Sequence, residues 1–368
     1  MASVRTKPNG SYEVLYRDPN GRQRSKSFRR KTDATGFVKS VDTDKARGEY
    51  QDPRLARVTV GQVATEWHAS LDVKPKTHAS YTGHLTTWIM PYFAATKVID
   101  VTPGTVRSFG KAVIDAGRSP ATRNGAIAVL RLVLGYAVEQ RIIRVNPATR
   151  LGLSHAGTPE MHFLTPAQVQ ELATKIQEPF TTKRYDRYAR VPDLGLLVTF
   201  GAYTGLRAGE QYGLKVKNVD LRSGRVTVVD NLTEVAGVLH FGTTKTGKTR
   251  SVALPEFLTE RVARHIDGLD RDDLVFAAAG GGPMRHTNYR TVHFKPAVVA
   301  AGLPKEVRVH DLRHTCASWL IKLGVHPKGI MEQLGHSSIT VTLNTYGHLF
   351  PGWDEKQALG LQKLYEDQ

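Results

Sequence analysis

The chain has 368 residues, enough for two or three domains and a sizeable core. Hydrophobic residues make up 40%, which excludes general disorder. The single cysteine, Cys316, excludes an intrachain disulfide and argues against a Cys-based metal site. The formal charge of +17 points to a polyanion, either nucleic acid or an acidic membrane, and no run approaches the length of a membrane span. With no apolar signal-peptide core in "MASVRTKPNG", the reading is a soluble, intracellular protein.

The first 50 residues read as a small sheet followed by a helix. "SYEVLYR" alternates, placing Tyr12, Val14 and Tyr16 on one face. "DPNG" signals a turn, "RQRSKSF" a returning strand, and "ASVRTK" holds a candidate first strand. From Thr32, a plausible N-cap, the spacing of Ala34, Phe37, Val38 and Val41 predicts a helix. Residues 22–31 carry six basic side chains and no acid. A small sheet has one face to spare, so the basic run suggests a DNA-facing surface, with Arg22, Arg24 and Lys26 as candidate contacts. A merely solvated face is the alternative. Fourteen Lys and Arg against seven Asp and Glu lie within residues 1–57, the excess expected of a polyanion contact.

"YQDPRLAR" reads as a linker, and residues 59–146 as four helices. "TVGQVATEWHASL" has a Thr cap. "THASYTGHLTTWIMPYF" is expected to stop at Pro91. "TPGTVRSFGKAVIDAG" begins at Pro and ends at Gly, and "SPATRNGAIAVLRLVLGYAVEQRIIRVNP" is the longest run. After a second linker, "LGLSHAGTPEMHF", comes a larger mixed domain with short strands in "SGRVTVVD", "VLHFGTTKT" and "TRSVALP". The expected architecture is multidomain and mainly α with small β-sheets. It comprises a sheet-plus-helix domain (1–56), a four-helix domain (57–153) and a mixed α+β domain (154–368).

Four stretches carry chemistry. In "YTGLRAGE" a helix restarts near Leu206, placing Arg207 and Glu210 one turn apart. "TTKTGKTRSVALP" reads as a β-hairpin with Lys245 and Lys248 near its tip. "VHDLRHTCASWLIKLG" places His310, Arg313 and His314 along one helix edge. In "LGHSSITVTLNTYGHLF", Gly335 ends a helix, His336 follows at the turn, and a new helix with a Ser cap delivers Tyr346. Two arginines are suited to hold a phosphodiester and neutralise charge growing in its transition state. A histidine can shuttle a proton, a lysine can protonate a leaving alkoxide, and a phenol can attack phosphorus. The paired carboxylates of two-metal phosphoryl transfer, H-E-x-x-H and a P-loop are all missing from the sequence, and zinc-ligand spacing is poor, so no metal or cofactor is expected. Ser337–Ser338 reads as a helix cap rather than a nucleophile.

"TGLRAGE", "TKTGKTRSVALP", "HDLRHTCASWL", "LGHSS" and "NTYGH", in this order and separation, resemble the tyrosine recombinase (phage integrase) family over about residues 160–368. Residues 57–150 resemble the family's core-binding domain. The N-terminal sheet more loosely resembles the arm-binding domain of temperate-phage and conjugative-transposon integrases. The resemblance implies a site-specific recombinase that integrates and excises a phage or mobile element through a 3′-phosphotyrosine intermediate. Arg207 and Arg313 would clamp the scissile phosphate, Lys245 would act as general acid and His310 as acid/base. His336 would hydrogen-bond the phosphate and Tyr346 would be the nucleophile, with Glu210 in support and His314 structural. It further implies core and arm sites on double-stranded DNA, a homotetramer, a host bending protein or directionality factor, and action in the cytoplasm of a bacterial host. The last helix, "WDEKQALGLQKLY", with Ala358, Leu361 and Leu364 at helical spacing, would dock on a neighbouring protomer. A type IB topoisomerase and a catalytically inactive DNA-binding regulator are the alternatives.

Overall fold

The computed structural model describes residues 3–17, 21–46, 55–153, 157, 160–181, 191–243, 247–350 and 355–367. They are mainly helical with small antiparallel sheets, in two compact units, Met1–Thr158 and Pro159–Gln368. Among the described residues no helix is long and apolar enough to cross a membrane.

The first unit holds two separate cores. Strands Ser3–Thr6, Tyr12–Arg17 and Gln23–Phe28 form an antiparallel sheet in sequence order, backed by helix Lys31–Ala46. Alternation turns Val14 and Tyr16 onto the helix, where they are buried with Ala34 and Val41, and Tyr12, Phe28, Phe37 and Val38 pack around them. Thr32 is not the cap expected of it, because the helix already includes Lys31. Most of the "DPNG" turn, at positions 18–20, lies outside the described residues.

Register decides where the basic residues of the third strand point. Arg24 pairs with Tyr16 and Lys26 with Val14. Residues paired across strands share a face, so both stand on the helix-covered side. Lys26 Nζ lies 5.4 Å from the Phe28 ring centroid and 4.6 Å from that of Phe37, its stem along apolar surface and its charge outward. Arg22 precedes the strand. Arg24 and Lys26 thus stand off the spare face on which the basic run was expected. That face carries Arg5, Glu13, Leu15, Arg17, Ser25 and Ser27.

The helical core is built from Val60–Ala69, Pro75–His84, Pro103–Asp115 and Pro120–Glu139. Thr59 and Thr102 close capping boxes, and Ser119 caps the long helix through its side chain. Trp67, Ile89, Phe93, Phe109, Ile127 and Leu130 meet at the centre. Pro91 does not stop its helix. A wider π turn over Leu85–Ile89 precedes it, and Met90 N–H donates to Leu85 O. The path then continues through Met90–Phe93, because the altered ladder leaves a position where proline's missing donor is tolerated.

In the second unit, helices Pro166–Gln177, Leu194–Thr204 and Glu256–Ile266 share a core with a three-stranded sheet, Val219–Asp220, Arg225–Val228 and Arg250–Ala253. A separate hairpin pairs Asp230–Val235 with Val238–Thr243. The arms flanking residues 244–249 therefore belong to different sheets and do not pair with each other as the expected hairpin requires, while residues 244–246 lie outside the described residues. Helices Asp311–Lys322, Pro327–Leu334 and Ile339–Tyr346 follow, and a smaller cluster of Ala317, Ile321, Ile330, Leu334 and Tyr346 joins them. The last helix is Glu355–Glu366, with Leu359, Leu361, Leu364 and Tyr365 exposed.

Candidate active site

Two left-handed glycines shape the site. Gly205 (φ 68°) ends helix Leu194–Thr204, and a Cβ there would lie 2.5 Å from Leu334 Cδ2. The turn places Arg207 at the N-cap of helix Ala208–Tyr212, where the Arg207 backbone N–H donates to Glu210 Oε2 (2.9 Å) and Nη1 to Oε1 (3.0 Å). Gly335 (φ 67°) ends helix Pro327–Leu334, and its carbonyl accepts from Arg207 Nη2 at 3.2 Å.

Glu210 is 1% exposed and has a second cation. Arg250, the first residue of strand Arg250–Ala253, donates from Nη1 to Oε1 (3.1 Å) and from Nη2 to Oε2 (2.6 Å), and from Nε to Gln333 O (3.1 Å). Burial alone would raise the Glu210 pKa. The hydrogen bond and charge of Arg250, with those of Arg207, outweigh it and hold the carboxyl below its usual range.

Arg313 is 2% exposed; its Nη1 donates to Gly205 O at 2.7 Å. Its Nη2 is buried with no partner among the described residues. Burial and Arg207 press its pKa down to about 9, which leaves it cationic at neutral pH. His310 is the N-cap of the same helix, and its ring meets that of His314 edge-on at 4.8 Å. One side of His310 stays open to solvent, yet partial burial, then His314, Arg313 and Arg207, hold its pKa at about 4.

His336 follows Gly335. Its Nδ1 is 2.8 Å from the Thr342 hydroxyl, and burial followed by Arg313, Arg207 and Arg250 hold its pKa at about 4. Ser338 stands at the N-cap of helix Ile339–Tyr346 without the side-chain cap bond expected of it. Tyr346, the last residue of that helix, is 1% exposed. Its Oη lies 2.8 Å from His314 Nδ1, and its ring lies roughly parallel to that of His336. Burial raises the phenol pKa to about 12 against the lowering charges of Arg313 and Arg207.

A model described as the phage integrase family matches residues 162–352, more than half of the chain. The chain belongs to the phage integrase family. A Mycobacterium tuberculosis protein named as a prophage phiRv2 integrase is 28% identical over 380 residues, covering 99% of this chain and 96% of that protein. The Tn1549 transposon integrase in complex with transposon right-end DNA shares the fold, with a TM-score of 0.70 and 23% identity over 84% of this chain and 100% of that one. So does the lambda integrase tetramer bound to a Holliday junction, with a TM-score of 0.56 and 19% identity over 96% and 97% of the two chains. The present chain is a tyrosine recombinase, an enzyme of site-specific DNA recombination and integration.

Within this recombinase, Arg207, His310, Arg313, His336 and Tyr346 converge on one site, whereas Lys245 lies outside the described residues (244–246). Sequence reasoning missed Arg250 and Thr342. The burial of Glu210 that calls for Arg250 shows only in the fold, and the spacing from His336 to Thr342 signals nothing by itself. The two imidazoles held near 4 have a measurable consequence. Each is depressed below its unfolded value of about 6.5, so the folded state binds fewer protons and the associated stability is present above that value. The melting temperature of the DNA-free protein is expected to fall as pH drops from 6.5 towards 4, and a His310→Gln/His336→Gln double variant should show a shallower fall by calorimetry.

Proposed function

We propose that this recombinase cuts and rejoins DNA through a 3′-phosphotyrosine link on Tyr346, integrating and excising a phage or mobile element. The observation that carries the reading is the buried Nη2 of Arg313, unpartnered among the described residues, close to Arg207, His336 and Tyr346. A buried cationic donor without an acceptor is costly unless an anion completes it. A scissile phosphate supplies that anion. Arg207 and Arg313 would hold two of its oxygens and offset charge growing at phosphorus. Thr342 orients His336 through Nδ1, leaving Nε2 for a phosphate oxygen. Tyr346 would attack as the bond to the 5′-oxygen breaks, Lys245 would protonate that oxygen, and His310 would assist proton movement. The phosphotyrosine ester conserves the energy of the phosphodiester, so the reverse attack by a 5′-hydroxyl reseals the strand.

The domain roles follow the same reading: 1–56 for arm sites, 57–153 for the core site, 154–368 for catalysis. The exposed Leu361 and Leu364 of the last helix suit docking on a neighbouring protomer in a DNA-bound tetramer. A host bending protein or directionality factor would complete the assembly in the bacterial cytoplasm. The test of the core reading is a nicked duplex whose short 5′ fragment diffuses away after cleavage. A covalent protein–DNA adduct resistant to denaturant supports it. An intact strand under tight binding favours an inactive regulator, and nicking without joining of two duplexes favours the topoisomerase.

The corrected register changes the arm prediction. Arg5 and Arg17 flank Leu15, Ser25 and Ser27 on the spare face, where a sheet laid in a major groove reaches bases and phosphates. Arg5→Ala/Arg17→Ala in the full chain is expected to lose protection of a second, flanking DNA site while keeping the core footprint. Arg24→Ala/Lys26→Ala should keep both. Equal losses from the two pairs would overturn this placement.

A further inference from the structure

His314 has no task in the chemistry above, yet it touches the atom that would attack. Its Nδ1 lies 2.8 Å from Tyr346 Oη. The contact joins two helices, Asp311–Lys322 and Ile339–Tyr346, in a buried setting where each ring also packs edge-on to the other at 5.7 Å. His310 lies one turn back with its ring against His314 rather than against the phenol. We infer that His314 is the general base that takes the phenol proton of Tyr346 as the tyrosine attacks phosphorus, an inference that rests on Tyr346 being the nucleophile.

The electrostatics suit this task. Burial presses the imidazole pKa down, so His314 is neutral at pH 7 and its Nδ1 accepts when the ring proton sits on Nε2. The groups facing it are mixed. Asp311, wholly buried on the same helix, favours the imidazolium, whereas Arg308 and Arg313 oppose it, and His310 and Tyr346 complete the surroundings. Asp311 is itself pinned by Arg308, through Nε at 3.1 Å and Nη2 at 2.7 Å. An imidazolium formed next to a buried carboxylate is tolerable for the life of a transition state, and the arginines favour its return to neutrality afterwards.

The step balances. The phenol O–H bond breaks and its proton passes to Nδ1. The phenolate oxygen bonds to phosphorus as the bond from phosphorus to the 5′-oxygen breaks, and the 5′-oxygen takes a proton from the general acid. Resealing reverses each transfer, and His314 returns the proton to the phenol.

Single-turnover cleavage of the nicked duplex across pH 5–9 by the full chain tests the assignment. His314→Phe keeps the ring volume and removes the nitrogen. It is expected to bind the duplex as the parent does and cleave about 100-fold more slowly, in the usual range for a lost general base. Its rate should rise with pH throughout, whereas the parent rate levels off once His314 is neutral. Imidazole added to His314→Ala should restore cleavage, a response that a purely structural role does not give. Should His314→Phe lose its fold by circular dichroism, His314→Asn carries the same expectations of a slower rate and an altered pH profile. Parent-like rate and profile in these variants would overturn the inference, as would a loss that imidazole does not rescue and that leaves the profile shape unchanged. Tyr346→Phe is the separating control. An adduct surviving in that variant overturns the nucleophile reading itself, whereas an adduct lost there but formed normally by the His314 variants overturns the base assignment alone.

Discussion

Tyr346→Phe is expected to bind its DNA site as the parent chain does and to form no covalent adduct at all. The substitution removes one oxygen. The ring stays in its cluster with Ala317, Ile321, Ile330 and Leu334, so the helix that presents it keeps its seat. The lost partner leaves His314 Nδ1 short of one hydrogen bond, a penalty of about 1 kcal/mol for a neutral pair. That is too small to unfold a domain of this size. Under the proposed roles, binding would rest on the arginines and the wider basic surface, which the change does not touch. A native gel reports the retained binding, and a denaturing gel with the nicked duplex reports the lost adduct. The chain has thirteen tyrosines, so peptide mapping of the parent adduct is decisive. A phosphotyrosyl peptide from any other tyrosine would reject the assignment.

Glu210→Ala should strongly destabilise the catalytic unit. The carboxylate joins Arg207 and Arg250, whose side chains are 25% and 11% exposed. Removing it leaves two cations facing each other across a gap with little water. Breaking a buried pair costs about 3–5 kcal/mol. The lower end applies here because Arg207 still reaches solvent. Activity should be lost further, because Arg207 loses both the backbone and the side-chain bond that fix it at the N-cap. Glu210→Gln keeps the shape and one acceptor and should lose less stability while still misplacing Arg207. Denaturant midpoints and single-turnover cleavage separate the two effects. A Glu210→Ala midpoint equal to the parent's would show the network to be dispensable.

Much of the molecule was legible in residue order because its signals are local. Thr59 announced a helix start that its side chain does cap, and Pro103 announced the first position of another. The alternation of Tyr12, Val14 and Tyr16 named the buried face of the small sheet. The five ordered motifs pointed to the family that the comparison then matched. What failed depended on partners distant in sequence. The side of the sheet on which Arg24 and Lys26 stand is set by register with Tyr16 and Val14, and a basic run looks the same on either face. The arms around residues 244–249 have strand-like composition, but their partners are Asp230–Val235 and Arg225–Val228, which local pattern does not reveal. Pro91 read as a stop because proline breaks a regular ladder, and the π turn that absorbs it has no signature in the sequence. Arg250 and Thr342 were passed over for a related reason: each acts by orienting another side chain.

Tyr346 is also a packing residue, and this makes access to the phenol a question of populations. Drawing the ring out of the small cluster forfeits on the order of 2 kcal/mol of burial. A withdrawn form of the free protein would then hold on the order of a few per cent of molecules. The packed form, in which the phenol oxygen keeps its 2.8 Å contact with His314, therefore dominates. The small cluster thus keeps the phenol beside the proposed base before DNA arrives, so this pair need not be assembled during the reaction.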